Sequence, residues 1–347
     1  MANKRKRINL ALQGGGAHGA FTWGVLDRLL ADDDLEIAAI SGTSAGALNG
    51  AALKAGLVLG DRRTARDNLD WLWGQVGAVD EQDLAGWLHG YAPSAASVSR
   101  AVGMSLPFTF LDNAARMFSP YALGPLYSNP LQRIADRFSY DAVCHSDGPT
   151  LFICATNVRS GKIRVFTGPE ISTDVIVASA CLPTLFQAVE IDDPVTGKRE
   201  AYWDGGYTGN PALFPLFAPS LPDDIVIVNI NPLERRELPV SVAEIQNRIN
   251  EISFNSSLLR ELRAIQFVKE LIAEGKIPKG AMKDVQVHMI ADDGLMNELS
   301  VATKTIPTPY ILAKLKEAGQ AAAENYLTAH KSDIGVRGSH DLHTLID

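Results

Sequence analysis

Apolar residues along this chain fall into two alternating patterns. Residues 8–13 form a short apolar run of strand length, and residues 20–30 carry apolar positions at helical spacing. A second strand-like run, 35–41, is followed by a second helix-like segment, 45–59. Two strand–helix units in succession predict a parallel sheet with right-handed crossovers. The expected fold is α/β, a three-layer α/β/α sandwich with a mainly parallel central sheet. From about 61 to 128 the pattern breaks into short helical pieces interrupted by Gly, Pro and Ser. Aromatics are frequent there: Trp71, Trp73, Trp87, Tyr91, Phe108, Phe110, Phe118 and Tyr121. This reads as a helical cap or lid inserted at one end of the sheet, and core packing accounts for its aromatics equally well. Strand-like runs resume at 151–155, 163–167, 186–191 and 225–230. A long helix over 242–273, a strand over 285–290 and a helix over 310–327 follow. The organisation expected is a basic tail (1–7), a catalytic domain (8–232), a helical C-terminal extension packed on it (233–330) and a polar, mobile tail (331–347).

Composition narrows the classes. The 347 residues are 46% hydrophobic and 21% charged, which suits a globular protein with a sizeable core. A net charge of −8 argues against nucleic acid as a partner. Lys4-Arg5-Lys6-Arg7 is the basic exception. It reads first as a solvated tail, with contact to anionic lipid headgroups as the alternative. The apolar run behind it is too short for a secretory signal, and no stretch approaches the roughly 20 apolar residues of a membrane span. Cys144, Cys154 and Cys181 form an odd, widely spaced set that suits a reduced interior. A cytoplasmic protein with peripheral membrane contact is the expectation. Oligomeric state is left open.

Chemistry concentrates in two glycine-rich turns. Gly42-Thr43-Ser44-Ala45-Gly46 is a G-x-S-x-G pentapeptide between a strand and a helix. That context makes it a nucleophile elbow, in which a strained turn lifts the serine hydroxyl clear of the sheet and small neighbours let strand and helix approach. Gly14-Gly15-Gly16-Ala17-His18-Gly19 follows the first strand and opens the first helix. Its backbone N–H groups suit an oxyanion hole. It also satisfies G-x-G-x-x-G, so a dinucleotide-binding module is the rival from another class. That rival needs an acidic residue at the end of the second strand. The strand ends instead in the elbow, and Glu36 lies near its beginning. No Gly-Lys-Ser/Thr follows, so a P-loop fails too.

The serine needs a base. His288, His330, His340 and His343 are the histidines beyond residue 204; His288 lies in a strand-like run and the others in or near the polar tail. The stronger candidate is Asp204, followed by Gly205-Gly206 after a hairpin through 193–197. A plain turn aspartate is the alternative reading of that motif.

Together these elements resemble the patatin-like phospholipase family. The glycine loop 14–19, the elbow 42–46, Ala178-Ser179-Ala180-Cys181-Leu182-Pro183 and Asp204-Gly205-Gly206 match the family's motifs in order, over roughly residues 8–232. The resemblance implies a Ser-Asp dyad without histidine or cofactor. Ser44 would be the nucleophile and Asp204 the general base. Gly14, Gly15, Gly16 and Ala17 would form the oxyanion hole, and Gly42, Gly46, Gly205 and Gly206 the turns. His18 would be a loop or rim residue. The implied activity is hydrolysis of lipid esters of phospholipase A or lysophospholipase type through an acyl-serine. A soluble ester or an intracellular polyester is the alternative substrate.

Overall fold

The structure, a computed structural model, describes residues 5–77, 94–103, 119–235 and 237–346. Its centre is an eight-stranded sheet in the order β5-β6-β3-β2-β1-β7-β8, with β4 paired to β3 off that path. The strands are β1 Lys6–Leu12, β2 Leu35–Gly42, β3 Thr150–Asn157, β4 Ile163–Thr167, β5 Val189–Asp193, β6 Lys198–Asp204, β7 Asp224–Val228 and β8 Gln286–Ile290. Five strands, β3, β2, β1, β7 and β8, pair in parallel; β4 and β6 pair antiparallel with β3, and β5 antiparallel with β6.

Both faces are covered, because side chains alternate across a strand. Ile8, Leu10 and Leu12 of β1, with Val226 and Val228 of β7, face one core. The helices there are α1 (Ala20–Leu30), α2 (Ala45–Leu59), α3 (Arg62–Gly77) and, near the chain's end, α8 (Pro309–His330). Between α3 and α8 in sequence lie α4 (Ala95–Gly103), α5 (Thr173–Ser179), α6 (Val242–Ala273) and α7 (Val301–Thr305). Ala11, Ile225 and Ile227 face the opposite core, which Leu258, Leu262 and Ile265 of α6 close. The three-layer α/β/α fold expected from the periodicity is the one observed. No helix among the described residues is long and apolar enough to cross a membrane.

Two features depart from the sequence reading. The residues from 62 to 77 form one continuous helix rather than short pieces, and its tryptophans are packing residues. Trp73 stacks on Trp23 and donates from Nε1 to Asn49 Oδ1 at 2.9 Å; Trp71 meets Phe138 edge-on. Trp87, Tyr91, Phe108, Phe110 and Phe118 lie outside the described residues. The tail is not free. Ser339 N donates to Val287 O, Gly338 N to Gln286 Oε1 and Gly335 N to Asp224 Oδ1, while Ile334 and Leu342 are buried. Its backbone donors find partners on β8 and at the start of β7, and its apolar residues join the two cores.

Candidate active site

Sheet topology brings two motifs together. Along β3, strand β2 occupies one edge only as far as the Gly42–Ile153 pair. Strand β6 takes over beyond it, from the Ala155–Asp204 pair, with β4 on the opposite edge. Chain leaving β2 through the elbow therefore runs into the end of β6, and Ser44 meets Asp204.

Backbone close approach explains the elbow's glycines. A side chain at Gly42 would lie 2.5 Å from the Gly46 carbonyl, and one at Gly46 would strike the carbonyl of Leu12. Ser44 itself has φ 54 and ψ −120, and among the described residues it is the one non-glycine with positive φ. Such strain persists only where the surroundings over-determine it. Thr43 Oγ1 donates to Gly209 O at 2.7 Å, the Ser44 amide donates to Ser179 Oγ at 2.9 Å, and the Ser44 carbonyl accepts from Ala47 and Leu48 as α2 begins.

Asp204 is held as firmly. Its amide donates to Cys181 O at 2.8 Å, and its carbonyl accepts from Thr156 Oγ1 at 2.8 Å. The carboxyl is buried. Burial pushes its pKa up to about 7, against the opposing influence of the Gly206 amide, which donates to Oδ1 at 2.8 Å, and of the nearby Ser44 side chain. Gly205 fits because a Cβ there would strike the Cys154 carbonyl. Gly206 lies under the Phe254 ring of α6.

The glycine loop approaches from β1. A side chain at Gly14 would come 2.6 Å from Ser44 Cβ, so the loop lies directly beside the serine. The Gly14 amide is committed, donating to Asn210 Oδ1 at 2.7 Å. Gly14 thus contributes closeness rather than a free donor, which corrects its expected role. Among the described residues, the amides of Gly15, Gly16 and Ala17 donate to no protein acceptor. The loop opens a 3₁₀ turn, Gly16–Gly19, that leads into α1.

The described histidines stand elsewhere. His18 is fully buried, not at a rim. Its Nε2 meets Thr303 Oγ1 at 2.8 Å, and burial together with nearby Lys304 lowers its pKa well below the usual imidazole range. His288 is fully buried on β8, paired with Asp224 at 3.0 Å, with β7 and β1 between it and β2. His330 pairs with Asp333, His340 with Ser339 and His343 with Gln266. None hydrogen-bonds to Ser44 or Asp204. The dinucleotide alternative fares no better, since Glu36 pairs with Arg7 near the start of β2, away from the loop.

The profile of the patatin-like phospholipase family matches residues 10–217. The chain belongs to that family. By class it is a lipid acyl hydrolase, and the glycine loop, the elbow and Asp204-Gly205-Gly206 lie inside the matched span. Solved structures with a similar arrangement include VipD from Legionella pneumophila, at 15% identity and a TM-score of 0.43, covering 94% of this chain and 67% of that one. The ExoU–SpcU complex from the type III secretion system of Pseudomonas aeruginosa matches at 17% identity and a TM-score of 0.37, covering 94% of this chain. The chain spans about half the length of the ExoU chain, 52%. No curated protein sequence matches it.

Family motifs left several supporting residues unnamed. Asn210, Asn231 and Gln13 form a buried amide cluster under the loop: Asn231 Nδ2 donates to Gly14 O at 2.7 Å, and Gln13 Oε1 accepts from the Ile230 and Asn231 amides. Lone asparagines and a glutamine in loops carry no spacing signal. Ser179 was visible as part of a motif, but its contact with the elbow is not a property of spacing.

Proposed function

We propose that this chain hydrolyses lipid ester bonds, as a phospholipase A or lysophospholipase, through a Ser44–Asp204 dyad. The observation that carries the reading is a buried carboxyl, with its pKa raised to about 7, close to the side chain of a serine in strained backbone. A base poised near neutral pH accepts a proton more readily than an ordinary carboxylate and still ionises in a neutral cell.

In this reaction Ser44 Oγ attacks the ester carbonyl carbon as its proton passes to Asp204. The carbonyl oxygen becomes an oxyanion facing the Gly15 and Gly16 amides, with Ala17 beside them, at the start of a helical turn whose dipole favours negative charge. Collapse breaks the bond to the alcohol, which takes the proton back from Asp204, and leaves an acyl-serine. A water attacks that ester, Asp204 takes the water's proton, and Ser44 Oγ leaves with it. No histidine takes part.

The test is covalent labelling by a fluorophosphonate probe, followed by profiling the products released from mixed lipid vesicles. Labelling lost in Ser44→Ala, with fatty acid and lysolipid as products, supports the reading. An unlabelled wild-type protein overturns it. Release of acid only from soluble esters or polyesters would keep the dyad and replace the lipid substrate.

A further inference from the structure

The glycine loop is held from beneath by residues outside the family match. Helix α7 touches it in three ways. Gly16, at φ +59, has no room for a side chain because the Lys304 carbonyl lies against it. Thr303 Oγ1 meets His18 Nε2 at 2.8 Å. Lys304 Nζ donates to Asn231 Oδ1 at 3.4 Å, and the other end of the same amide donates to the Gly14 carbonyl at 2.7 Å.

Lys304 is in turn fixed by α6. Its ammonium bonds Glu251 Oε1 at 2.8 Å and Asn247 Oδ1 at 3.3 Å. Glu251 is 1% exposed and also binds Arg235 at 2.7 Å and Arg248 at 3.4 Å. One buried carboxylate thus gathers three cations behind the loop. Both arginines are occupied with other carbonyls as well: Arg235 with Met296 and Asn297, Arg248 with Pro232 and Leu233. Lys304 is the member of the cluster that reaches the loop, by its carbonyl at Gly16 and by its ammonium through Asn231. The excess positive charge is felt there, since Lys304 is the first of the charges that hold His18 neutral.

We propose that Lys304 is a positioning residue of the oxyanion loop, fixing through Asn231 and Gly16 the direction in which the Gly15 and Gly16 amides point. The proposal rests on the Ser44 reading above. An oxyanion donor acts only if it is aimed at the transition-state oxygen, so a loosened loop loses turnover more than substrate binding.

The experiment uses the full chain with Lys304→Met and Lys304→Arg, and Ser44→Ala as the reference. Hydrolysis of a short-chain ester gives kcat and KM, and fluorophosphonate titration counts competent sites. Lys304→Met should lower kcat per titrated site roughly ten- to a hundredfold, less than complete loss of one donor. KM should stay within about twofold, and Lys304→Arg should recover most of kcat. If Lys304→Met does not fold, Lys304→Ala, which also removes the bond to Asn231, carries the same expectation. A kcat per site within about twofold of wild type in a neutral variant overturns the proposal. So does a loss explained wholly by fewer titrated sites, which makes Lys304 a stability residue only. Absence of Ser44-dependent labelling in the unaltered protein strikes the Ser44 reading itself, so the two failures are told apart.

Discussion

The Ser179 hydroxyl accepts a 2.9 Å hydrogen bond from the Ser44 amide. Two residues further on, the Cys181 carbonyl accepts from the Asp204 amide at 2.8 Å. One short segment at the end of α5 therefore fixes both members of the proposed dyad. Ser179→Ala leaves a buried N–H without its acceptor, at a cost of about 1–3 kcal/mol. We expect lower thermal stability and a kcat reduced by roughly tenfold or more, measured by calorimetry and ester hydrolysis.

In the proposed mechanism Asp204 acts as base only when ionised. With its pKa raised to about 7, kcat/KM should fall about tenfold per pH unit below neutrality, and Asp204→Asn should remove most turnover at every pH. Stability moves the opposite way. The folded carboxyl holds its proton up to about pH 7, whereas the unfolded one releases it near 3.8. The native state binds more protons across that window, so stability falls as pH rises through it. Melting curves should therefore show Asp204→Asn gaining on the wild type between pH 5 and pH 8. Glu261, also raised to about 7 by burial, contributes the same slope to both proteins and cancels in the comparison.

His288 separates a dyad from a triad. Its imidazole is spent on Asp224 and lies edge-on to Tyr326. His288→Gln should lose about 1–3 kcal/mol of stability by disturbing a buried pair, yet keep kcat within a few-fold. A loss of several orders of magnitude in folded protein would restore histidine to the mechanism.

Ser44 occupies backbone that glycine adopts freely and L side chains do not. Ser44→Ala keeps that strain, and Ser44→Gly releases it. Both should be inactive. Ser44→Gly should melt higher than Ser44→Ala, since about 1–3 kcal/mol of strain outweighs glycine's added chain entropy of about 0.5–1 kcal/mol. Equal melting temperatures would show that the elbow holds no such strain.

Much of this was legible in the chain. The helices 20–30, 45–59 and 242–273 have the bounds that their periodicity predicts, because each has one face against a sheet or helix. The strand expected over 186–191 instead begins at Val189, since the Gln187 and Ala188 amides are held by Tyr127 and Tyr121 from a distant segment. The tail looked solvated because its buried apolar residues, Ile334 and Leu342, are too few to make a pattern. The residues proposed as catalytic showed in the sequence because glycine punctuates them. Lys304, Glu251, Asn210 and Asn231 did not, since their partners lie far along the chain.

Four of the motif glycines share one circumstance. Gly42, Gly46, Gly205 and Gly16 each lie against a backbone carbonyl, those of Gly46, Leu12, Cys154 and Lys304. What the recognisable spacing records is main chain packed on main chain, the same in any enzyme that assembles this device. Choice of ester is then a matter for the side chains of the surrounding walls. Exchanging the walls while keeping these carbonyl seats should redirect the enzyme to new substrates without rebuilding its chemistry.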